Sequence, residues 1–261
     1  MVTFQTEPHR LLRMYKYGLP LKGQKFCPIL FSPNKVEINH ESSNVITLAQ
    51  FRIDKGWYFC EYESEKSEYF VMIPEHAKVI RQGIGFKGDE LVNFKTDDKY
   101  AYVVGDTTHQ SIQFPLIPLP KDMEHSKYEI VRTPYGMMPT LNGNWELLAN
   151  VHVLVAIENF LRLPKNSEKD DQVVLFFDGG KIEVYSTGLA VNHFSLNVQA
   201  FAYVREPIVA YFNKADFFQI LKQFSGEVWF GIGKFGIVVS QFCAEWRITH
   251  ILRAEKVEEE L

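Results

Sequence analysis

IVAYFNKADFFQILKQFSGEVWFGIGKFGIVVSQFCAEWRITHIL, residues 208–252, reads as a strand, a helix and three further strands. IVAYF (208–212) is apolar and β-prone, and Asn213 can cap the helix that follows. In KADFFQILKQF (214–224), Phe217, Ile220, Leu221 and Phe224 recur at helical spacing, while Lys214 and Lys222 stay clear of that apolar face. Ser225-Gly226 ends the helix. EVWFGIG (227–233), GIVVSQF (236–242) and WRITHIL (246–252) are short strands broken by Gly233, Gly236 and Ala244-Glu245. One two-faced helix on so small a sheet cannot bury its own apolar face. It needs copies of itself beside it.

A search for repeats finds them as a pattern, with little side-chain identity. A short helical segment carrying Arg10 to Lys16 follows the strand VTFQTE (2–7). PEHAKVIRQ (74–82) follows YFVMI (69–73) and precedes LVNFK, YAYVV and SIQFPLI. A third helix is read over 144–163, after YEIVRT (128–133) and before VVLFF, KIEVYS and VNHFSL. With the helix at Lys214 there are four, each entered from a strand and left into strands.

The 261 residues suffice for one large domain or two small ones, and 46% of them are hydrophobic. No segment approaches the roughly 20 apolar residues of a membrane span. The start, MVTFQTEPHRLLR, shows no basic segment followed by an apolar one, so no secretory signal is expected. Cys27, Cys60 and Cys243 are odd in number, far apart and flanked by apolar residues, a pattern of buried, reduced thiols in an intracellular protein. A net charge of −4 excludes an all-over cationic coat. Basic residues gathered on one face remain compatible with a nucleic-acid partner.

Two halves are expected, 1–118 and 128–254. They are joined by the polar connector LPKDMEHSK (119–127) and followed by an acidic, unpatterned tail at 255–261. PYGMMPTLNGN (134–144) reads as an irregular insert. GIGFKG (83–88) has the spacing of a dinucleotide fingerprint, but it leaves a helix and enters a strand, the reverse of what phosphate binding at a helix N-terminus requires. No histidine pair or Cys-x-x-Cys has metal-ligand spacing, so no metal or cofactor is expected. Asp97-Asp98 and Asp170-Asp171 lie in charged turns beside lysine, and Ser42-Ser43 lacks a nucleophile-elbow context. Nothing reads as an enzyme.

What recurs is positive charge on the helices. Arg10, Arg13 and Lys16 are spaced three apart, as are Lys78 and Arg81, and the fourth helix adds Lys214 and Lys222. Each set alone would be an ordinary solvated face. Their recurrence in equivalent repeats points to a shared basic surface. The third helix, WELLANVHVLVAIENFLRL (145–163), departs from this, with Arg162 and Lys165 only near its end.

VEINHESSNVITLAQF (36–51) resembles the loop-and-strand region of the proliferating-cell nuclear antigen (PCNA) family, the sliding clamps. Glu41, Ser42, Ser43 and Val45 match that family's turn. Asn44 stands for its usual histidine and His40 for an apolar residue. FVMIPEHAKVIRQG is similar to the family's second helix and SIQFPLIP to the strand before its connector. KIEVYS is similar to its second-domain edge strand, and WRITHILRAEKVEEE to its last strand and tail, with Tyr-Leu-Ala-Pro only partly kept as Ile251-Leu252-Arg253-Ala254.

The resemblance implies an α+β clamp fold of two similar domains, sheets outside and helices lining the hole of a three-fold ring. Sequence-independent duplex DNA would meet Arg10, Arg13, Lys16, Lys78, Arg81, Lys214 and Lys222. A DNA polymerase, other replication or repair proteins and a clamp loader would be the protein partners. By resemblance, partner peptides would dock on His40, Val45, Leu119, Met123, Ile251, Leu252 and Ala254. Subunits would join Ile112, Phe114 and Ile117 to Lys181, Val184 and Tyr185. The competing readings are a specialised clamp-like subunit in a hetero-ring, dimer or monomer, and a non-enzymatic all-β structural protein.

Overall fold

The computed structural model describes residues 1–42, 44–83, 91–107, 110–119, 128–133, 136–141, 151–161, 172–178, 180–186, 192–197, 207–233 and 236–259. The chain divides into two compact units. The first comprises Met1–Glu41, Thr47–His125 and Cys243–Ile248, and the second Ser42–Ile46, Ser126–Phe242 and Thr249–Leu261.

The first unit runs β1 (Val2–Thr6), α1 (Pro8–Gly18), β2 (Cys27–Ser32), β3 (Lys35–Glu41), β4 (Val45–Phe51), β5 (Glu61–Ser64), β6 (Glu68–Met72), α2 (Pro74–Gly83), β7 (Val92–Thr96), β8 (Tyr100–Gly105) and β9 (Ser111–Pro115). One sheet has the order β5-β1-β7-β8-β9 and another runs β4-β3-β2-β6. Each entry strand pairs with the strands of the other repeat: β1 lies antiparallel to β7 with Phe4 opposite Phe94, and β6 lies antiparallel to β2 with Phe70 opposite Ile29. The copies are therefore interlocked, as the small apolar face of each repeat demands. Period-two alternation turns Phe4, Phe31 and Phe94 inward. Phe4 stacks on Phe94 at 4.5 Å and meets Phe59 edge-on at 5.0 Å. Pro8 starts α1, where its missing N–H costs nothing. Gly18 ends it where an added Cβ would run into the Met72 side chain.

The second unit holds the hairpin β10 (Tyr128–Thr133) and β11 (Gly136–Leu141). Then come β12 (Val151–Ala156), α3 (Glu158–Leu161), β13 (Gln172–Asp178), β14 (Lys181–Ser186), β15 (Asn192–Asn197), β16 (Ile208–Asn213), α4 (Lys214–Leu221), β17 (Glu227–Gly233), β18 (Gly236–Phe242), β19 (Trp246–Arg253) and β20 (Lys256–Glu259). β19 begins within the first unit and ends in the second. The same exchange recurs, β12 pairing with β17 and β16 with β13. The sheet orders are β12-β17-β18-β19 and β15-β14-β13-β16-β20. Gly236 opens β18 at φ +135°, with the Leu252 carbonyl and the Ala254 N–H where a Cβ would stand, so only glycine fits.

Four local readings change. The stretch expected as a long third helix is a strand followed by a one-turn helix: Val153, Val155 and Ile157 are buried and Leu154 is 46% exposed, an alternation that β-branched residues satisfy best. Arg162, Lys165 and residues 144–150 lie outside the described residues. Residues 136–141 of the expected insert are β11, paired with β10 over six residues. Residues 256–259 of the expected frayed tail are β20, paired with β16 from Tyr211↔Lys256 to Ile208↔Glu259. Cys27 is buried as expected, but Cys60 is half-buried and Cys243 exposed.

Candidate nucleic-acid interface and partner surfaces

α1 and α2 pack on one another in the first unit. Tyr15 of α1 meets His76 of α2, with Oη 3.5 Å from Nδ1, and His76 lies against Phe70 and Phe114. Burial pushes the His76 pKa down to about 4, Glu75 offsetting a little of this. Outside this buried seam, Lys16, Lys78 and Arg81 are exposed and Arg13 is half-buried. Lys78 and Arg81 are i,i+3 neighbours on one helix face, as are Arg13 and Lys16. The Lys16 pKa is lowered, chiefly by burial of part of its side chain and then by the Arg13 charge. Like charges held this close favour an anion between them.

Arg10 and Lys214 are placed otherwise than their spacing suggests. The Arg10 side chain is 15% exposed, and its charge is taken up internally. Nη1 donates to the Trp57 carbonyl, Nη2 donates to Glu245 Oε1 at 3.1 Å, and Nε lies 3.6 Å from Glu7 Oε2. Lys214 is 2% exposed at the start of α4, so it lies within the packed interior and not on a solvated face. Lys222, just past α4, is exposed.

Of the residues expected to dock partner peptides, Val45 (1% exposed), Ile251 (1%) and Leu252 (2%) are core side chains and do not line an open wall. His40 is buried against Phe26, its pKa lowered by burial, and its Nδ1 has no hydrogen-bond partner among the described residues. Ala254 is half-buried and Leu119 is exposed; Met123 lies outside the described residues. Two polar groups missed in the sequence organise this corner of the second unit. The Asn44 carbonyl accepts from Arg253 N–H at 3.0 Å, and its amide donates to Asp216 Oδ2 at 3.3 Å. Asn213 Oδ1 accepts from the N–H groups of Ala215 and Asp216, which aims Asp216 at this turn. The one signal for Asn44 was its replacement of the family's histidine.

β9 is the outermost strand of its sheet. Ile112 and Phe114 face the core and Ile117 is half-buried. Hydrogen bonds from Gly105 N–H to Gln110 O (2.9 Å) and from Leu116 N–H to Lys99 O (2.8 Å) fix the phase of the β8–β9 ladder. Antiparallel pairs alternate, so Ile112 and Phe114 bond β8, whereas Ser111 and Gln113 turn their backbone groups out of the sheet. β14 is not an edge: β13 and β15 both pair with it along its length. Lys181, Val184 and Tyr185 are therefore interior to the sheet, and the edge belongs to β15, with His193, Ser195 and Asn197 exposed. Alternation in KIEVYS marks a strand but does not say what flanks it.

Four interlocked strand–helix–strand repeats in two units define the class: this is the DNA-clamp fold. No protein-family model and no curated protein matches the chain. Solved structures do. PCNA from Entamoeba histolytica superposes with a TM-score of 0.72 at 12% identity, covering 98% of this chain and 99% of that one. A. fulgidus PCNA, solved with the C-terminal region of FEN-1 bound, gives 0.72 at 11% identity with 100% of both chains covered. A PCNA2–PCNA3 complex from Sulfolobus tokodaii gives 0.70 at 11% identity, covering 97% and 99%. The chain has the PCNA-like clamp fold from end to end.

Proposed function

We propose that this protein is a sliding clamp, a processivity factor that encircles duplex DNA and tethers a DNA polymerase and other replication or repair proteins to it. The observation that carries this reading is the full-length clamp fold with Arg13, Lys16, Lys78 and Arg81 presented from two helices packed together. Cations on regular helices attract phosphates without reading base edges, and such delocalised attraction permits movement along the duplex. Lys222 is included in the contact set. Arg10 braces Trp57 and Glu245, and Lys214 packs within α4, so both stand outside that set.

The ring is a homotrimer in which the outer edge of β9 pairs with the outer edge of β15 of the next copy, opened by a clamp loader. Exposed strand edges invite pairing, and a closed ring covers these two on every copy. Peptide partners dock on the second unit near Asn44 and Ala254. The protein acts wherever its DNA is, inside the cell.

A second reading is favoured by the withdrawal of Arg10 and Lys214 from solvent: a specialised subunit whose ring is completed by a different, more basic chain. The Sulfolobus tokodaii complex joins two different clamp chains. Mass in solution, measured with retention on nicked circular and linear DNA, tests both. A trimer retained on circles and lost from linear ends fits the homo-ring; a monomer that stays monomeric with DNA overturns it.

A further inference from the structure

We propose that a groove in the first unit binds an acidic peptide carrying an apolar side chain. The groove is about 510 Å3 and is formed by the β2–β3 turn, the end of β4 with the residues after it, and the β18–β19 turn. That volume lies within the range of clefts that hold small ligands and short peptide segments. Its accessible apolar contact is the half-buried Ile53, with Val36, Phe51 and Trp246 packed beneath the surface.

Two guanidinium groups stand on the rim. Arg52 is held rigidly, stacked 4.1 Å above the Trp57 ring and donating from Nε to Asp54 Oδ2 at 2.5 Å. Its two terminal nitrogens make no hydrogen bond among the described residues. Arg247 is exposed and has no hydrogen bond or ion pair among the described residues. The rim carboxylates are already engaged, Asp54 by Arg52 and Glu245 by Arg10. What remains unanswered is a pair of planar donor forks in a groove that also exposes part of Ile53, and a carboxylate meets such a fork with two parallel bonds. Trp57, 36% exposed, holds the first fork in place, so little side-chain freedom is lost on binding. Asp54 and Glu245 on the same rim keep acceptor capacity for backbone N–H groups, which a peptide supplies and a phosphodiester backbone does not, so the rim favours a peptide over nucleic acid.

Cys243 lines the groove and is exposed, which makes occupancy readable. In a Cys60→Ser background the full chain is alkylated with N-ethylmaleimide and followed by intact mass, with the acetylated, amidated pentapeptide EDLED as probe. At ~1 mM the peptide should slow Cys243 alkylation about fivefold, corresponding to a Kd of a few hundred micromolar. Arg52→Ala with Arg247→Ala, both exposed positions, should abolish the protection at unchanged thermal stability. The charge-reversed peptide KKLKK and a ten-residue oligothymidine should protect little. No protection by EDLED, equal protection in the double variant, or equal protection by KKLKK overturns the proposal. Protection by oligothymidine as strong as by EDLED overturns it in favour of a nucleic-acid surface.

Discussion

The two units carry the same repeat and use it differently. In the first, α1 and α2 have 11 and 10 residues and keep Arg13, Lys16, Lys78 and Arg81 toward water. In the second, α3 has four residues and α4 eight, and Lys214 is buried. Short helices buried on most sides leave few positions that can hold a charge in solvent. Among the described helix residues, exposed basic side chains are thus concentrated in the first unit, although the strand exchange is identical in both. An architecture can repeat where its surface chemistry does not.

The edges offer the sharpest way to break the comparison. If β9 and β15 join copies, Gln113→Pro removes an outward N–H and leaves the β8–β9 ladder intact. Sedimentation should then show complete conversion to monomer, and Ser195→Pro at the other edge should do the same. Asymmetric results, with one edge indispensable and the other silent, would separate the units' roles. A trimer surviving both substitutions would end the edge-pairing reading.

The charge asymmetry comes next. Arg13→Glu, Lys16→Glu and Lys78→Glu together should weaken DNA association by on the order of 100-fold at low salt and flatten its salt dependence. Lys222→Glu alone should change it by about twofold or less. Comparable losses from the single and triple variants would move the interface to the second unit.

His76 tests the α1–α2 seam. Its folded pKa is depressed to about 4, so folding favours the neutral ring. The associated stability is complete above its unfolded pKa, roughly 6.5, and is lost as pH falls toward 4. Denaturant titrations should show the first unit losing ~1–2 kcal/mol more than a His76→Phe variant between pH 7 and 4.5. Parallel pH profiles for the two proteins would show that the ring is not buried as a neutral group in solution.

Most of the frame was legible in the sequence because it is local. Glycine-broken apolar runs marked β17, β18 and β19, and helical spacing marked α1, α2 and α4. Nonlocal facts were not legible. VHVLVAI is apolar enough for a helix or a strand, and only the pairing of β12 with β17 decides. Lys214 stands three residues before Phe217 and seven before Leu221, on the apolar stripe of α4, so helical spacing already carried the signal for its burial and its charge hid it. The edge passed from KIEVYS to β15 because a neighbour in a sheet leaves no mark on the strand it covers. The engagement of Arg10 by Glu245, 235 residues away, has no local signature either.

The smallest effect separates how the two units begin a helix. α4 is capped by Asn213, whose side-chain oxygen accepts from the N–H groups of Ala215 and Asp216 at 3.0 and 3.2 Å. α1 follows Glu7, which makes no side-chain cap bond and has Pro8 after it. An N-cap oxygen satisfies donors that a helix leaves open, so Asn213→Ala should cost about 1 kcal/mol. It should also loosen Asp216 from Asn44, since the cap sets the first turn that presents Asp216. Glu7→Ala removes no cap and only a 3.6 Å contact with Arg10 and an exposed one with His9, so it should change stability by roughly 0.5 kcal/mol or less. Thermal denaturation of the two single variants measures the difference. If Glu7→Ala costs as much as Asn213→Ala, the start of α1 is held by its ion pairs with Arg10 and His9, and the two helices are secured at their N-termini to the same degree by different means.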